Sequence, residues 1–220
     1  MAVQVVCISR TLGALGEEVG SLVAERLSFQ YVDEQVIERA ARLARVDPKL
    51  VEAAEHRQPL LRRLMQKLAA ARDVVEPATT ALALGPLLVG VTERAALRAT
   101  PEDLRLLIQE AIQELAQDGH VVILAHASSM TLATRTDIVR VLVTASVETR
   151  ARRLVAAQGV TAEEAAAAVA TSDRDRGDYF RRFYDVAQEQ PTHYDLVINT
   201  DVLTPERAAD LIVCAARGGA

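Results

Sequence analysis

Apolar residues along the chain form short continuous runs that alternate with longer stretches of helical spacing. The short runs are rich in Val and Ile and cover residues 3–8, 120–126, 138–145 and 195–200, with a shorter fragment that ends at Tyr31. Runs of this kind, bounded by turn residues, are typical of strands buried on both faces of a sheet. We therefore predict a strand at each of these positions.

Amphipathic stretches follow nearly all of these runs. In the first, Val19, Leu22, Val23 and Leu27 recur at the spacing of one helix face. Predicted helices cover residues 16–27, 33–46, 101–117, 128–134, 146–157 and 204–217. Strands that alternate with helices predict a mostly parallel sheet covered on both faces. The expected fold class is a three-layer α/β domain.

Two further segments interrupt this alternation. Residues 47–100 are helical in tendency and contain no strong strand, so they are predicted to be a helical insertion. Residues 161–190, between the last two strands, are helical and dense in charge. A length of 220 residues allows one domain with such additions. We expect residues 1–220 to form a single domain.

Composition narrows the class of protein. Hydrophobic residues make up 50% of the chain and charged residues 25%, as in an ordinary globular protein. The net charge of −5, with acids and bases interspersed, argues against a partner that is a nucleic acid polymer. The N-terminus has no basic leader, and no window approaches the about 18 apolar residues of a membrane span. We expect a soluble cytoplasmic protein without a membrane partner.

Cysteine and histidine residues suggest no disulfide and no metal site. Cys7 and Cys214 each lie in an apolar run, so both are expected to be buried reduced thiols. His126 follows the predicted strand at 120–126, and no other histidine stands at a metal-ligand spacing from it.

The loop after the first strand is the most informative one, because ligands of open α/β sheets bind beyond the carboxyl ends of the strands. It reads SRTLGALGEE from Ser9 to Glu18 and joins a strand to a helix, as a phosphate-binding loop does. Gly13 and Gly16 are its only glycines. Two glycines three apart are a weak signal alone, and a plain strand-to-helix turn remains the alternative.

Three segments together give a specific resemblance. ISRTLGALGEEVGSLVAERLSFQYVDEQVIERAA near the start, DGHVVILAHASSMTL in the middle and TSDRDRGDYFRRFYDVAQEQPTHYDLVINTDVLTPERAADLI at the end resemble the cytidylate kinase-like family in order and spacing. The resemblance implies a P-loop nucleoside monophosphate kinase fold. The segment at 47–100 would be the monophosphate-binding insertion, and the arginine-rich segment at 161–190 a lid. It also implies ATP as phosphoryl donor and Mg²⁺ as the ion that bridges the donor phosphates.

The phosphate loop departs from the full motif, in which a lysine reaches the phosphates and a hydroxyl binds Mg²⁺. Gly16 stands at the lysine position, Glu18 at the hydroxyl position, and Glu17 replaces the arginine that this family carries in its G-G-R-E form. The chain has 23 Arg and only two Lys, both far away in the insertion. Arg10 is the one nearby cation. The residues predicted to contact ATP are Gly13, Ala14, Leu15, Gly16, Glu17 and Glu18.

Other site residues come from the resemblance. The lid arginines Arg174 and Arg181, with Arg10, are the expected catalytic groups, because a guanidinium binds phosphate oxygens bidentately. A solvated charged face, with nearby aspartates pairing the arginines, remains the alternative.

The second loop reads Ala125-His126-Ala127 where the family has G-R-G. The residues expected to bind the acceptor nucleotide are Tyr31, Asp33, Arg39 and His126.

The predicted function is ATP-dependent phosphoryl transfer to CMP or a similar nucleoside monophosphate, with a degenerate phosphate loop. The missing loop cation and the acidic first turn of the helix leave an alternative open. It is a catalytically inactive kinase-fold protein with a binding, regulatory or oligomerisation role. Transfer to a non-nucleotide hydroxyl is a third interpretation. Whether the chain forms a homo-oligomer is open at this stage.

Overall fold

The computed structural model describes residues 3–44, 101–124 and 127–218. Five strands form one sheet: β1 (Val5–Arg10), β2 (Gln30–Val32), β3 (Val121–Leu124), β4 (Ile138–Thr144) and β5 (Leu196–Asn199). The order across the sheet is β2-β3-β1-β4-β5, and every neighbouring pair is parallel. The predicted α/β class with a parallel sheet is confirmed.

Helices connect and cover the strands. They are α1 (Gly16–Leu27), α2 (Glu34–Ala44), α3 (Pro101–Asp118), α4 (Ser128–Thr131), α5 (Val147–Gln158), α6 (Ala162–Tyr184) and α7 (Pro205–Ala216). A short 3₁₀ turn, Pro191–His193, precedes β5. The sequence explains several helix starts. Ser146 caps α5, Thr204 with Pro205 begins α7, and Thr161 and Glu164 form a capping box at α6.

The alternation of side chains along β1 fills both faces of the sheet. Val6 and Ile8 are fully buried in the core that includes Val23 of α1 and Ile212 of α7. Cys7 points to the other face and forms a hydrogen bond with Ser128 at the start of α4. Burying an aliphatic side chain of this size contributes about 1.5–3 kcal/mol. The sheet is therefore held from both sides by apolar burial.

Helices α5 and α6 share a smaller apolar cluster. Leu154 of α5 packs with Ala165 and Val169 of α6, and Leu12 of the first loop contacts the same cluster. This packing brings the charge-dense segment after β4 next to the loop that follows β1.

The chain divides into two compact units, Met1–Val36 with Ile112–Ala220, and Ile37–Ala111. In the second unit the structure describes the end of α2 and the beginning of α3, where Ile37, Ala40 and Ile108 are buried. The predicted helical insertion at 47–100 lies outside the described residues.

Several boundaries differ from the sequence predictions. Strand β1 runs two residues further than expected, because Arg10 pairs with Val143 of β4. The helix predicted at 128–134 is a single turn. Helix α6 ends at Tyr184 because Asp185 adopts a left-handed backbone with φ 54°, so residues 185–190 are not helical. The prediction that Cys214 is buried is wrong, because it lies on the solvent face of α7; Cys7 is buried as expected.

Candidate functional site

Strand β1 occupies the position where the chain changes direction across the sheet. It pairs with β3 on one side and β4 on the other, and the loop at 11–15 leaves its carboxyl end to begin α1. At such a switch point the connections on the two sides diverge and leave a crevice above the strand. The loop chosen from the sequence therefore lies where this fold class binds its ligand.

Glycine is required at position 13. Its φ is +80°, and a Cβ there would lie 2.9 Å from the carbonyl oxygen of Arg150. An added methyl group would be strained by both the backbone and the neighbouring helix α5. Leu15, the residue before α1, also adopts a left-handed backbone, with φ 63°. The loop is thus a tightly turned backbone pressed against α5.

Side chains of the following elements hold the carbonyl groups of this loop. Arg153 donates to the Gly13 carbonyl oxygen at 3.1 Å and to the Thr200 carbonyl oxygen at 2.6 Å. The hydroxyl of Thr200 donates to the Ala14 carbonyl oxygen at 3.0 Å. In a trans peptide the N–H lies opposite the C=O, so the N–H of Leu15 points away from Thr200.

The start of α1 is open to an anion. Leu15, at the N-cap, has no side chain that could cap the helix, so it leaves the first-turn N–H groups without a capping hydrogen bond. Together with the turned-out N–H of Leu15, these groups and the helix dipole form a backbone site suited to a phosphate.

Arg10 and Glu17 neutralise each other across this opening. Arg10 Nε lies 2.6 Å from Glu17 Oε1, and the two side chains are 27% and 54% exposed. A Cβ at Gly16 would lie only 2.5 Å from the Cβ of Arg10. Gly16, at the usual lysine position, therefore leaves space for the Arg10 side chain, which passes over this glycine and reaches Glu17. Glu18 is exposed beside them.

Tyr31 and Asp33, predicted to bind the acceptor, lie in the same electrostatic environment. Burial raises the pKa of Tyr31 to about 12, the negative charges of Asp33 and Glu17 add to the rise, and Arg10 opposes it. Gly20 allows this approach, because a Cβ there would lie 3.0 Å from the Tyr31 ring. The structure thus brings the predicted donor loop together with two of the predicted acceptor residues.

The other two predicted acceptor residues are Arg39 and His126. Arg39 belongs to the second compact unit, in α2, where it is partly exposed. His126 lies outside the described residues.

Arg174 and Arg181, the arginines predicted to act from a lid, are both exposed on α6. Arg181 donates to Asp178 at 2.8 Å, one turn earlier, and both side chains of that pair are about 60% exposed. Arg174 has no hydrogen bond or ion pair within the described ranges. In the part of the chain that the structure covers, neither arginine forms a hydrogen bond or ion pair with the loop at 11–15.

Three other arginines contact the end of β1 or its loop, and sequence reasoning did not assign them this role. Besides Arg153, Arg150 packs its backbone on Gly13 and binds Asp173 of α6 with two hydrogen bonds of 2.8 and 2.6 Å. Arg176 donates to the carbonyl oxygen of Arg10. The helical spacing in the sequence could have indicated this role. Arg150 shares a helix face with buried Leu154, and Arg176 shares one with buried Phe180. An arginine on the buried stripe of a helix indicates an internal partner.

No group of three or more His, Cys, Asp or Glu side chains capable of holding a metal ion occurs among residues 3–44, 101–124 and 127–218. The described helices also include none that is long and apolar enough to cross a membrane.

The chain matches the family model of the cytidylate kinase-like family over residues 5–202. It is 33% identical over 129 residues to a cytidylate kinase of Ignicoccus hospitalis, covering 59% of this chain and 73% of that one. It is 26% identical over 104 residues to a cytidylate kinase of Sulfolobus acidocaldarius, covering 47% of this chain and 57% of that one.

Two solved structures show the same fold. An uncharacterized protein from Eubacterium ventriosum has a TM-score of 0.62 at 13% identity, covering 98% of this chain and 99% of the other. A shikimate kinase from Bacteroides thetaiotaomicron has a TM-score of 0.50 at 15% identity, covering 96% and 97%. At these identities the likeness concerns the fold alone. The family match, which extends from β1 past the end of β5, is the stronger finding: the chain belongs to the cytidylate kinase-like family.

Proposed function

We propose that this protein transfers the γ-phosphoryl group of ATP to CMP or a similar nucleoside monophosphate. The observation that carries the proposal is the backbone at the end of β1. There the Gly13 and Ala14 carbonyl groups are held by Arg153 and Thr200, and the start of α1 is uncapped. Phosphoryl transfer depends chiefly on such positioning and on charge neutralisation. The family match supports the same reaction class.

On the donor side, the backbone of residues 13–18 would surround the phosphates. The Ala14 N–H already donates to the Thr11 carbonyl oxygen at 3.1 Å, so the donors would be the other N–H groups of this segment. Gly13 and Gly16 keep this loop tightly packed, because a Cβ there would collide with Arg150 or Arg10 respectively. Glu17 opposes binding: a carboxylate about 5 Å from a phosphate charge costs about 3 kcal/mol at an effective dielectric near 20. Arg10 offsets this cost, since it neutralises Glu17 at 2.6 Å.

Mg²⁺ would be held mainly by the nucleotide phosphates and water, because the described residues gather no metal-binding cluster and Glu18 replaces the usual hydroxyl. When bound, the ion neutralises phosphate charge and polarises the transferred group. ATP would therefore bind this loop as its magnesium complex.

On the acceptor side we assign Tyr31 and Asp33. The charges of Asp33, Glu17 and Arg10 all lie close enough to Tyr31 to influence its pKa. Arg39 and His126 complete the proposed acceptor set by resemblance.

Arg174 and Arg181 would neutralise the transferring group. They are seven residues apart on α6, nearly two full turns, so their guanidinium groups share one face and can converge on one anion.

We also propose that residues 1–220 act as one kinase domain, with 47–100 as the monophosphate-binding insertion and 161–190 as the lid. The described part of the lid is dominated by α6, which packs on α5 through Leu154 and Val169. Helix α5 also contacts the phosphate loop at Gly13, so a lid built on α6 would lie beside the site from which water must be excluded.

Calorimetry of ATP binding with and without Mg²⁺ tests the donor site. The wild type is expected to bind MgATP, and Gly13→Ala to lose binding because of the 2.9 Å approach and the positive φ. Gly177→Ala is the matched control: nothing lies within 4 Å of a Cβ at that position, so binding should be unchanged. Absence of ATP binding by the wild type at millimolar concentration would refute the proposal and favour the inactive kinase-fold alternative.

A further inference from the structure

Arg176 of α6 connects three separate parts of the chain. Its Nη1 donates to the Arg10 carbonyl oxygen at 3.2 Å, and its Nη2 to Ser9 Oγ at 3.0 Å. Its Nε and Nη2 bind the two carboxylate oxygens of Glu189 at 2.8 and 2.6 Å. Tyr194, just before β5, donates to the same carboxylate. The guanidinium thus joins α6 to the last two residues of β1 and to the segment that leads into β5.

The network is neutral and largely withdrawn from water. About a fifth of each side chain, Arg176 and Glu189, is exposed, and Tyr194 is buried. Burial opposes ionisation of Glu189, but its hydrogen bonds to Arg176 and the positive charge outweigh burial and lower its pKa. A paired and hydrogen-bonded arginine is stable in such surroundings.

Arg176 points to the opposite side of α6 from the two lid arginines. At about 100° per residue it lies about 200° from Arg174 and about 140° from Arg181. Phe180, one turn later on the inner face, is buried and stacks under the guanidinium at 4.7 Å. The inner face of α6 is thereby anchored, while the outer face presents Arg174 and Arg181.

The hydrogen bonds of Arg176 leave little capacity for a ligand. An arginine has five N–H donors, and the four bonds to Ser9, Arg10 and Glu189 use all but one. Its charge is also compensated by Glu189. Arg176 is therefore poorly suited to neutralise a phosphate and well suited to hold α6 in a fixed place.

We propose that Arg176 is a positioning residue that fixes α6 to the end of β1 and so sets where Arg174 and Arg181 lie relative to the phosphate loop. The role in catalysis rests on the proposed function. The role in anchoring α6 does not rest on it, because hydrogen exchange and thermal unfolding measure the anchoring even in a protein without kinase activity.

The test compares Arg176→Lys, the double variant Arg176→Met with Glu189→Met, and Arg207→Met. The double variant removes both members of the buried pair and leaves no uncompensated charge, so it is the variant most able to fold if Arg176→Met alone is not. Arg207 is an exposed arginine on α7 and serves as the control. Each variant is characterised by its melting temperature, the calorimetric Kd for MgATP, kcat and KM, and hydrogen exchange of α6 and residues 9–15.

The double variant should show a kcat at least tenfold lower, a Kd for MgATP within about threefold of wild type, and faster amide exchange in α6. Arg176→Lys should recover part of the kcat, because it restores a charge but not the planar fork. Arg207→Met should match the wild type throughout. A folded double variant with wild-type kcat and wild-type exchange would overturn the proposal. If the wild type has no activity, the proposed function fails separately, and unchanged exchange in α6 would then refute the anchoring role.

Discussion

Arg10 and Glu17 form an ion pair directly over Gly16, with 2.6 Å between Nε and Oε1. The pair places a cation and a carboxylate of the same chain at the opening where the first turn of α1 offers its N–H groups. An incoming phosphate would meet an arginine already bound to an internal anion. The affinity of the loop for nucleotides should therefore depend on how easily Glu17 releases Arg10.

Glu17→Gln should tighten MgATP binding. The carboxylate is more than half exposed, so solvent screening reduces its Coulomb cost from about 3 to about 1 kcal/mol, or about fivefold in Kd. The same change should lower helix stability by about 0.3–1 kcal/mol, because an acid is lost from the first turn of α1. Calorimetry and thermal unfolding measure the two effects. Glu25→Gln, an exposed glutamate at the far end of α1, is the control with equal net charge. Equal or weaker MgATP binding by Glu17→Gln would contradict the inhibitory role of Glu17.

Gly16→Ala should destabilise the fold by about 1–3 kcal/mol, because its Cβ would lie 2.5 Å from the Cβ of Arg10. For the same reason, restoring a standard loop with Gly16→Lys and Glu18→Thr should lower the melting temperature. Gly177→Ala, in the open interior of α6, should instead stabilise by about 0.5–1 kcal/mol. Chemical denaturation gives the two changes in the free energy of unfolding, and thermal unfolding gives the melting temperature. A Gly16→Ala variant as stable as wild type would show that Arg10 does not occupy this space in solution.

The two cysteines should differ sharply in reactivity. Burial raises the pKa of Cys7 to about 12, and the hydrogen bond to Ser128 only partly opposes this. Cys214 is exposed on α7. A thiol-specific chromogenic reagent should therefore modify one thiol rapidly in the native protein and the second only on unfolding. Cys214→Ser should remove the fast phase. Two fast thiols in the native protein would contradict the burial of β1.

Tyrosine titration should show delayed ionisation of Tyr31 and Tyr194. Burial is the main cause that raises the pKa of Tyr31 and of Tyr194 to about 12 in each case. A tyrosine whose pKa is raised in the folded state stabilises the fold at pH values below the ordinary tyrosine pKa of about 10. That contribution is lost as pH rises from about 10 to 12. Tyrosinate absorbance should show that Tyr31→Phe removes part of the upper transition only. If Tyr31→Phe instead reduced the absorbance change of the lower transition, Tyr31 would be exposed to solvent.

The sequence was sufficient for features that depend on local pattern. The buried run around Val6 and Ile8, the alternation of strands with helices, and the end of α1 before Ser28 were all predicted and are observed. These follow from periodicity and turn chemistry, which a short window of sequence contains. The loop after β1 was identified for the same reason.

Contacts between distant residues were not predictable in this way. Arg153 meets Thr200 across 47 positions, and Arg176 meets Ser9 across 167. The sequence favoured Arg174 and Arg181 among the arginines of this segment, but it does not show which face of α6 is buried, so the internal contacts of Arg176 were not predicted. The fold orients that helix, so that Arg176 points inwards and Arg174 and Arg181 outwards.

The most direct test of the central claim is a coupled assay of ADP formation from MgATP, run with CMP, with each of the other nucleoside monophosphates and with no acceptor. The proposed function predicts ADP formation that requires both Mg²⁺ and a monophosphate, is fastest with CMP or a close analogue, and falls at least tenfold in Arg174→Met and Arg181→Met but not in Arg207→Met. No ADP formation above the enzyme-free rate with any monophosphate, at millimolar ATP, would contradict it.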